Sequence, residues 1–386
     1  MKPVSVVIIG AGVMGASAAY HLAVRGWRDV VMLDGSEGPG QGSTGAATGG
    51  FRAQYATAIN VRLSLLAREK LLSFEQEIGT DPGYLPAGYL WLATTQAELE
   101  ELRAGLEVQR TAGLHEAVEV DADDVRRLNP AVRCKHVIGG VFCPTDGFIA
   151  PLKILHGYLD AAARRGVRVK WETRVTGLHH ANGRITSVET DGGRIDAEVV
   201  INAGGAWARD VADMADINLQ VTPLRRQVAV TVQCTRLPPE MPMTIFAGDG
   251  FHFRARDERV LLLWPSPGVP GRPFELGVDA DWISAVTRMA HERVPVLRDV
   301  PVDTAASWAG LYEMSPDKHA ILGRAPEMDN FYLINGSSGH GVMHAPALGV
   351  LLAELVTDGK FSSLDATALR PSRFAEGAAN PASGLL

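Results

Sequence analysis

The stretch that decides the fold opens the chain and reads Val4-Ser-Val-Val-Ile-Ile-Gly10-Ala-Gly12-Val-Met-Gly15. Its β-branched residues predict a buried parallel strand, because a strand covered on both faces is apolar throughout. Three glycines follow at the G-x-G-x-x-G spacing, and residues 16–25 favour a helix. Gly10 allows a tight turn, Gly12 lets a pyrophosphate approach the backbone, and Gly15 lets the helix pack closely on the sheet. Free N–H groups at the start of that helix would face the phosphates.

A second apolar run, residues 30–33, ends in Asp34. An acid about 20 residues after the glycines can bind a ribose 2′-OH, so the order strand, turn, helix, strand, acid predicts a dinucleotide site. Nicotinamide and flavin dinucleotides suit this stretch equally well. The glycine-rich segment 35–50 follows. It is either a flexible loop or, as we interpret it, backbone wrapped around the ligand, with Ser43 and Thr44 donating hydroxyls to phosphate.

The composition is that of an ordinary globular protein. The chain has 386 residues, 46% hydrophobic and 21% charged, which suffices for two domains or one large one. A net charge of −7 gives no reason to expect a nucleic-acid partner. Cys134, Cys143 and Cys234 form no C-x-x-C pair, so neither a disulfide framework nor a metal site is expected, and a reducing cytoplasm fits best. The N-terminal apolar stretch is too short for a membrane span and lacks a signal-peptide pattern, so we expect a cytoplasmic protein without a transmembrane segment.

Periodicity predicts the remaining elements. Helices are predicted over residues 58–78, 95–113, 121–128, 151–165, 281–293 and 347–356. Strands are predicted over 89–93, 137–143, 166–171, 197–202 and a hairpin of 184–190 with 194–196. From 221 to about 303, alternating β-branched residues predict a β-rich insertion, with a proline-rich loop over 265–273. The tail after Phe374 is expected to be frayed.

Two later strands also end in small residues. One runs into Ala203-Gly204-Gly205-Ala-Trp207, and another runs into Gly336-Ser-Ser-Gly339-His340-Gly341 before a helix. The second unit is too far along the chain to belong to the first fingerprint. Two such anion sites predict a ligand with a negative region at each end.

With these motifs in order, the chain resembles the D-amino-acid-oxidase-like group of flavoproteins, in particular the branch of sarcosine oxidase, glycine oxidase and the proline dehydrogenase β-subunit. The resemblance covers nearly the whole chain. It rests on the opening glycines and on the segments Gly42-Ser43-Thr44-Gly45, Asn202-Ala203-Gly204-Gly205-Ala206-Trp207, Tyr312-Glu-Met-Ser315-Pro316-Asp317 and Ser338-Gly339-His340-Gly341.

The resemblance implies an α/β fold, in which a second, β-rich substrate domain is inserted discontinuously into a Rossmann-type FAD-binding domain. The FAD-binding domain would comprise residues 1–84, 147–220 and 313–386. The substrate domain would comprise residues 85–146 and 221–312.

The resemblance further implies an extended, noncovalently bound FAD. Its adenosine end would lie by Asp34 and the backbone of Val175, and its isoalloxazine by Gly339-His340-Gly341. The amides at the start of the last helix, placed at 343–347, would stabilise negative charge on the reduced flavin. The implied cofactor-binding residues are Gly10, Gly12, Val13, Met14, Gly15, Asp34, Gly42, Ser43, Thr44, Gly49, Gly50, Val175, Ala203, Gly204, Trp207, Gly310, Gly339, His340, Gly341, Val342 and Met343.

Arg52 is similar in position to the family arginine that holds the substrate carboxylate, which a planar guanidinium binds in a bidentate pair. A surface salt bridge is the alternative. Weaker catalytic candidates than Arg52 are His252, Tyr312, His340 and Tyr55. His252 either lines the site or is a satisfied histidine of the β-rich part. No general base is identified, since a lowered amine pKa can suffice for deprotonation.

The chain departs from the family pattern at three places. Some sarcosine oxidases attach flavin through a cysteine before the Tyr-x-x-x-Pro-Asp segment, where this chain reads Trp308-Ala309-Gly310-Leu311, so noncovalent FAD is expected. A family lysine is replaced by Met343, and a lysine linked to oxygen activation is replaced within residues 260–264. A dehydrogenase that passes electrons to a partner subunit or quinone is therefore an alternative to direct oxygen use.

The leading hypothesis is an FAD-dependent enzyme that oxidises the C–N bond of a small amino acid, such as a secondary or N-methylated amine, to an imine. Its partners would be the amino-acid substrate and either oxygen or an electron-accepting partner. Alternatives are an FAD-binding electron-transfer or β-type subunit, a D-amino acid dehydrogenase, and a nicotinamide-dependent dehydrogenase. The last leaves the block at 338–341 unexplained.

Overall fold

Strands form at the apolar runs of the sequence. The computed structural model describes residues 4–265 and 274–382. Its strands there are β1 (Val4–Ile9), β2 (Val30–Leu33), β3 (Gly50–Phe51), β4 (Tyr89–Ala93), β5 (Val118–Val120), β6 (Gly139–Cys143), β7 (Gly147–Phe148), β8 (Arg168–Lys170), β9 (Val175–Ala181), β10 (Arg184–Thr190), β11 (Gly193–Asn202), β12 (Thr222–Val230), β13 (Met243–Phe246), β14 (His252–Arg256), β15 (Arg259–Leu263), β16 (Trp308–Met314), β17 (Ile321–Arg324) and β18 (Phe331–Asn335).

Helices alternate with these strands in the first and last parts of the chain. Over the described ranges they are α1 (Val13–Val24), α2 (Ala58–Leu72), α3 (Phe74–Ile78), α4 (Gln96–Thr111), α5 (Ala122–Leu128), α6 (Pro151–Ala163), α7 (Ala208–Asp213), α8 (Ala280–Arg293) and α9 (Gly341–Asp358). Short 3₁₀ turns lie between several of them.

The first sheet has the strand order β17-β18-β11-β1-β2-β8, with the β9–β10 hairpin beside β11. β1 pairs in parallel with both β2 and β11, and β11 pairs in parallel with β18. Both faces of β1 are covered, as its sequence predicts. Val6 and Ile8 pack in the core with α1 and α9, while Val7 and Ile9 pack with α7 and the hairpin. The Rossmann-type part of the prediction is confirmed.

The second sheet has the order β16-β12-β15-β14-β13-β4-β6-β5 and is antiparallel except where β13 meets β4. One face, with Leu92, Phe253 and Leu262, packs against Trp282 and Val286 of α8. The opposite face turns toward the first sheet. The β-rich second part of the fold is therefore confirmed. The residue boundaries of the two domains stay a prediction, and β16 runs unbroken through the boundary drawn at 313.

The last long helix begins earlier than the sequence predicts. We expected residues 347–356, after Pro346, but α9 begins at Gly341 and contains Pro346. Packing against α1 holds the proline-containing start of this helix, because Ser17 Oγ donates to the carbonyl of Ala345 at 2.8 Å. The predicted helix 58–78 is also interrupted, since α2 ends at Leu72 and α3 begins at Phe74.

The tail after Phe374 is ordered through Asn380, so the expectation of fraying is wrong there. The buried carboxylate of Asp317 accepts hydrogen bonds from the backbone and side chain of Asn380, at 3.0 and 3.1 Å. Arg373 donates to the same carboxylate at 2.8 and 2.9 Å. These bonds hold the Asp317 pKa well below its usual range. The loop predicted at 265–273 lies outside the described residues from 266 onward.

Among the described helices, α9 alone has the length and apolar composition to cross a membrane. Most of it is buried inside the protein. A core helix of a globular protein can have the same length and apolar composition.

Candidate active site

The glycine turn lies at the carboxyl ends of β1 and β2. Gly10 has a φ of +105°, and a Cβ there would lie 2.3 Å from the carbonyl oxygen of Ala203. Only glycine fits this turn. Asp34 Oδ2 accepts a hydrogen bond from the Ala11 amide at 2.8 Å. The turn, the acid and the small residues after β11 therefore meet at one edge of the first sheet, where Gly204 donates its amide to Asn202 Oδ1 at 3.0 Å.

Thr44 closes over the start of α1. Its buried Oγ1 accepts a hydrogen bond from the Val13 amide at 3.2 Å, whereas Gly42 and Ser43 are exposed. The Val13 amide is thus bonded to Thr44 instead of being free for phosphate. The hydroxyl hydrogen of Thr44 can still donate.

Val175 and Trp207, two of the predicted cofactor-binding residues, lie away from the glycine turn. Val175 begins β9, close to Thr173, whose amide donates to the carbonyl of Asp34 at 2.9 Å. The Trp207 side chain is 47% exposed and stacks on Phe274 with ring centroids 5.3 Å apart. Both assignments stay predictions.

One face of the second sheet carries several of the predicted substrate-side residues. His252 lies opposite Leu263 of β15 and Ile245 of β13, and Ile245 lies opposite Trp91 of β4. Alternate residues of a strand share a face, so Arg254 lies on the same side as His252.

The same row continues across the other two strands. Val228 of β12 pairs with β15 on one side and with Trp308 of β16 on the other. Two residues along, Arg226 lies opposite Gly310. Arg226, Gly310 and Tyr312 therefore lie on the face that carries His252.

This face packs directly against the glycine-rich segment of the first part. Trp308 Nε1 donates to the carbonyl of Ala46 at 2.9 Å, and Arg254 donates to the carbonyls of Thr48 and Gly49 at 2.9 and 3.4 Å. Burial lowers the Arg254 pKa to about 10.

Close approaches leave no room for side chains at two of the predicted glycines. A Cβ at Gly310 would lie 2.7 Å from Cβ of Ala46, and one at Gly50 would lie 2.0 Å from Tyr89 Oη. The segment is thereby held between the two sheets.

Arg52 follows directly after β3 and is 3% exposed. Its Nη1 donates to the carbonyl of Gln54 at 2.7 Å, and its Nη2 lies 3.1 Å from Nε2 of His340. The guanidinium carbon is 4.1 Å from the Tyr55 ring centroid and 5.4 Å from that of Trp91. The stacked rings and the two polar contacts fix the plane of the guanidinium, which bidentate binding of a carboxylate requires.

Asp146 anchors the segment that carries Arg52. Its carboxylate accepts from the Ala53 amide at 2.7 Å and from Gln54 Nε2 at 3.1 Å. Burial raises its pKa to about 6, although these bonds and the charge of Arg52 act in the opposite direction.

The loop before α9 meets the Arg52 segment. The His340 ring packs edge-on against Tyr55 at 5.0 Å, and Tyr55 Oη donates to Sδ of Met343 at 3.2 Å. Since α9 begins at Gly341, the amides without an intrahelical acceptor are those of 341–343. Of the amides predicted at 343–347, only that of Met343 belongs to this set, because α9 begins before Pro346. Val342 is half-buried.

Tyr312 lies against the same loop. Gly339 has a φ of +92°, and a Cβ there would lie 2.3 Å from a ring carbon of Tyr312. The tyrosine is 37% exposed, yet desolvation raises its pKa against the charges of Arg226 and Arg52.

His252 is fixed in one tautomer. Its Nδ1 lies 2.7 Å from the carbonyl oxygen of Gly250, so Nδ1 carries the hydrogen. Burial, together with the charges of Arg52 and Arg226, lowers its pKa to about 4, although the hydrogen bond to Gly250 acts in the opposite direction. Near pH 7 the imidazole is neutral, with Nε2 unprotonated.

The nucleotide-type edge of the first sheet thus lies beside a face of the second sheet that carries several arginines. A family model described as FAD dependent oxidoreductase matches residues 5–355. The chain belongs to this family. The dinucleotide is therefore FAD, as the resemblance implies, and the nicotinamide alternative is set aside.

Curated relatives of the chain include amine-oxidising enzymes. It is 29% identical over 390 residues to "Dimethylglycine dehydrogenase, mitochondrial" of Rattus norvegicus, covering 95% of this chain and 44% of that protein. It is 27% identical over 359 residues to "Glycine oxidase" of Geobacillus kaustophilus, covering 91% of this chain and 92% of that one. The chain thus spans less than half the length of the dimethylglycine dehydrogenases that it matches.

The fold also matches solved structures. "L-proline dehydrogenase from P.horikoshii" superposes with a TM-score of 0.90 at 26% identity, covering 98% of this chain and 100% of that one. The glycine oxidase of Geobacillus kaustophilus gives a TM-score of 0.83 at 25% identity, covering 96% and 98%. The expected two-part fold is confirmed by these matches.

Buried polar atoms between the two glycine loops fit a polar cofactor. Both amide atoms of Asn335 and the hydroxyl of Ser337 are buried without a hydrogen-bond partner among the described residues. Ser337 lies beside the start of α9, where a Cβ on Gly341 would be 3.7 Å from its Cβ and 3.6 Å from the Met14 methyl. Buried polar groups are nearly always bonded, so these atoms indicate a ligand that supplies partners. The residues present fit FAD.

Several residues of this region were not identified from the sequence. They are Arg226, Arg254, Asp146, Glu313 and Asn335. The alternation of His252, Arg254 and Arg256 with apolar residues is a signal that three polar side chains share one face of this strand. Arg226 and Asn335 carry no comparable local signal, because strand register and loop packing place them.

Proposed function

We propose that the chain oxidises the C–N bond of a small amino acid, a secondary or N-methylated amine, to the corresponding imine. When bound, FAD would supply the two-electron acceptor for the hydride that leaves the carbon. The nitrogen lone pair forms the C=N bond of an iminium ion, which gives the imine when its N–H proton is lost to solvent. The residues of the glycine turn would hold its adenosine end, and Gly339–Met343 its flavin end.

The observation that carries this proposal is the buried Arg52 guanidinium. It is stacked on Tyr55 and oriented by His340, which belongs to the loop at the start of α9. A carboxylate bound in its plane would be fixed in position and orientation relative to that loop. The carbon to be oxidised is then held in a fixed position relative to the bound flavin, as hydride transfer requires.

The names of several relatives support an N-substituted amino acid. Dimethylglycine, proline and the 4-methylaminobutanoate of an oxidase from Paenarthrobacter nicotinovorans each join a carboxylate to a substituted amine. That oxidase is 25% identical over 380 residues, covering 96% of this chain and 46% of its own length.

The positive charges around the site would lower the pKa of the substrate amine. Nearby positive charges disfavour an ammonium group and so lower the amine pKa. Arg52 and Arg226 act in this way on the imidazole of His252. The substrate amine would therefore lose its proton on binding, without a dedicated general base.

The electron acceptor is oxygen or an electron-accepting partner such as a quinone or a partner subunit. The relatives include both oxidases and dehydrogenases. Met343, which accepts a hydrogen bond from Tyr55, supplies no cation near the start of α9.

The test is an anaerobic titration of the flavin absorbance of the purified protein with sarcosine, proline, glycine and D-amino acids. Bleaching by a secondary or N-methylated amine supports the proposal. Recolouring on admission of air identifies an oxidase, and failure to recolour identifies a dehydrogenase. An FAD-loaded protein that no amine bleaches, and that co-purifies with a partner subunit, would instead be an electron-transfer subunit.

A further inference from the structure

Three polar side chains near the start of α9 have buried atoms without a hydrogen-bond partner within residues 4–265 and 274–382. The atoms are Glu313 Oε2, the Ser337 hydroxyl and both amide atoms of Asn335. Two backbone contacts join β16 to the loop after β18, since the amide of Ser337 donates to Glu313 Oε1 at 3.3 Å and that of Ser338 donates to the Glu313 carbonyl at 3.0 Å. Because buried polar groups are nearly always bonded, the cluster indicates a ligand that supplies partners to all three.

The cluster lies at the dinucleotide edge of the first sheet. β18 runs parallel to β11, and β11 runs parallel to β1, so their carboxyl ends share one edge. Leu333 lies opposite Asn202, and Asn202 lies opposite Ile9. Asn335, two residues beyond Leu333, therefore reaches the level of the glycine turn that begins at Gly10. The three side chains thus lie between this turn and the start of α9, in the region assigned to FAD.

The Glu313 carboxyl has no ion-pair partner in the described part of the chain. Burial raises its pKa to about 7, although Gly336 and Ser337 act in the opposite direction. The titratable groups of the neighbouring segments have contacts of their own, which are those of Asp34 with Ser36, Arg209 with Asp213, Arg225 with Asp279, Tyr312 with Arg226, Asp317 with Arg373, His319 with Thr57 and His340 with Arg52. A neutral carboxyl can donate a hydrogen bond, whereas a carboxylate can only accept.

We infer that Glu313 is a cofactor-binding residue, which as a neutral carboxyl donates a hydrogen bond to an oxygen of FAD beside the contacts of Asn335 and Ser337. The inference goes beyond the proposed function, because it concerns the affinity for FAD whichever amine is oxidised. Loss of the Glu313 proton would remove the donor and place a negative charge beside a cofactor whose pyrophosphate is itself negative. FAD should therefore be bound more tightly at lower pH.

Release of FAD from the diluted holoprotein, followed by flavin fluorescence without any substrate, tests this. The wild-type dissociation constant should increase by about 10-fold from about pH 6 to about pH 8.5, through linkage to one ionisation near neutrality. Glu313→Gln keeps a neutral donor, so it should bind FAD at both pH values and lose most of this increase. Ser337→Ala should raise the dissociation constant by about 3- to 10-fold at both pH values, which is the effect of one lost hydrogen bond, and should keep the increase.

The matched control Glu101→Gln changes an exposed glutamate of α4 and should behave as the wild type. Far-UV circular dichroism at both pH values establishes that FAD is released from folded protein. A wild-type affinity that is constant or rises with pH overturns the inference. A Glu313→Gln variant that retains the full increase, or that is folded but no longer binds FAD, overturns it as well.

Unchanged FAD affinity in Ser337→Ala rejects the shared site even if Glu313→Gln does not fold. Since no amine is present in these measurements, their failure leaves the proposed amine oxidation standing. Conversely, a protein whose flavin no amine bleaches loses the proposed function but still gives a decisive result for Glu313.

Discussion

Nη2 of Arg52 lies 3.1 Å from Nε2 of His340. Arginine can only donate, so Nε2 accepts and the hydrogen of this imidazole is on Nδ1. Burial and the charge of Arg52 lower the His340 pKa well below its usual value, so the ring stays neutral. The histidine of the Gly-His-Gly loop therefore orients Arg52, and Arg52 in turn prevents it from acting as an acid near neutral pH.

Replacement of Arg52 by alanine should weaken binding of the carboxylate substrate by about 100-fold or more, since a buried charged hydrogen-bond pair is lost. FAD should remain bound, because the contacts described for Arg52 join it to Gln54, His340, Tyr55 and Trp91. The measurement is the substrate dependence of anaerobic bleaching, together with the flavin content. Exposed Arg110 provides the matched control Arg110→Ala. Unchanged kinetics in Arg52→Ala would remove the carboxylate assignment.

His252→Gln should leave the pH profile of flavin bleaching unchanged above about pH 5. The pKa of His252 is lowered to about 4, so the imidazole is already neutral there, and neutral glutamine replaces it without a change of charge. The remaining pH dependence should follow the substrate amine, with bleaching faster at higher pH. Stopped-flow rates over this range check it. Loss of an ionisation between about pH 5 and 8 in the variant would show that His252 titrates in the active protein.

Gly339→Ala should slow substrate-driven bleaching by about 10-fold or more, since a 1 Å displacement at a site can cost about 100-fold. The added Cβ would lie 2.3 Å from the Tyr312 ring and must displace it. Gly359, the C-cap of α9, has a similarly positive φ of +70° but nothing within 4 Å of a Cβ. Gly359→Ala therefore shares the backbone strain without the clash, and it should lower Tm slightly but keep the rate. Equal rates in the two variants would show that the position of Tyr312 is unimportant.

Glu313→Gln should change how stability depends on pH. Glu313 Oε2 is buried without a partner among the described residues, and burial raises the pKa of this carboxyl from 4.5 to about 7. The folded state then holds a proton that the unfolded state releases, so wild-type stability is lost as pH rises through this window. This rise in pKa corresponds to a decrease of about 3 kcal/mol in the free energy of unfolding across the window.

Denaturant unfolding of wild-type and variant holoprotein at about pH 5 and about pH 8 measures this difference. The variant should lose less stability than the wild type over this interval. The matched control is exposed Glu119, whose pKa is lowered by the hydrogen bond from Arg103. Glu119→Gln should retain the wild-type loss. If Glu313→Gln shows that same loss, the carboxyl is ionised in the folded protein at neutral pH.

The first part of the fold could be predicted from residues that are close together along the chain. The apolar strand β1 must be covered on both faces, and the glycines after it allow a tight turn into a closely packed helix. Gly10 and Asp34 therefore lie where their spacing predicts. Helix boundaries were less predictable where packing overrides a local signal. Pro346 suggests a helix start, but contact with α1 lets α9 begin five residues before it.

The sequence by itself determined the family and the dinucleotide edge and predicted Arg52 as a binding residue, because each depends on residues that are close along the chain or on motifs in a fixed order. Only the tertiary structure decided that Arg226 joins Arg52 and that Asp146 holds the Arg52 segment. It also decided that His340 and His252 are neutral with known tautomers. These properties depend on strand register and on burial between two sheets, and both arise from contacts between residues far apart in sequence.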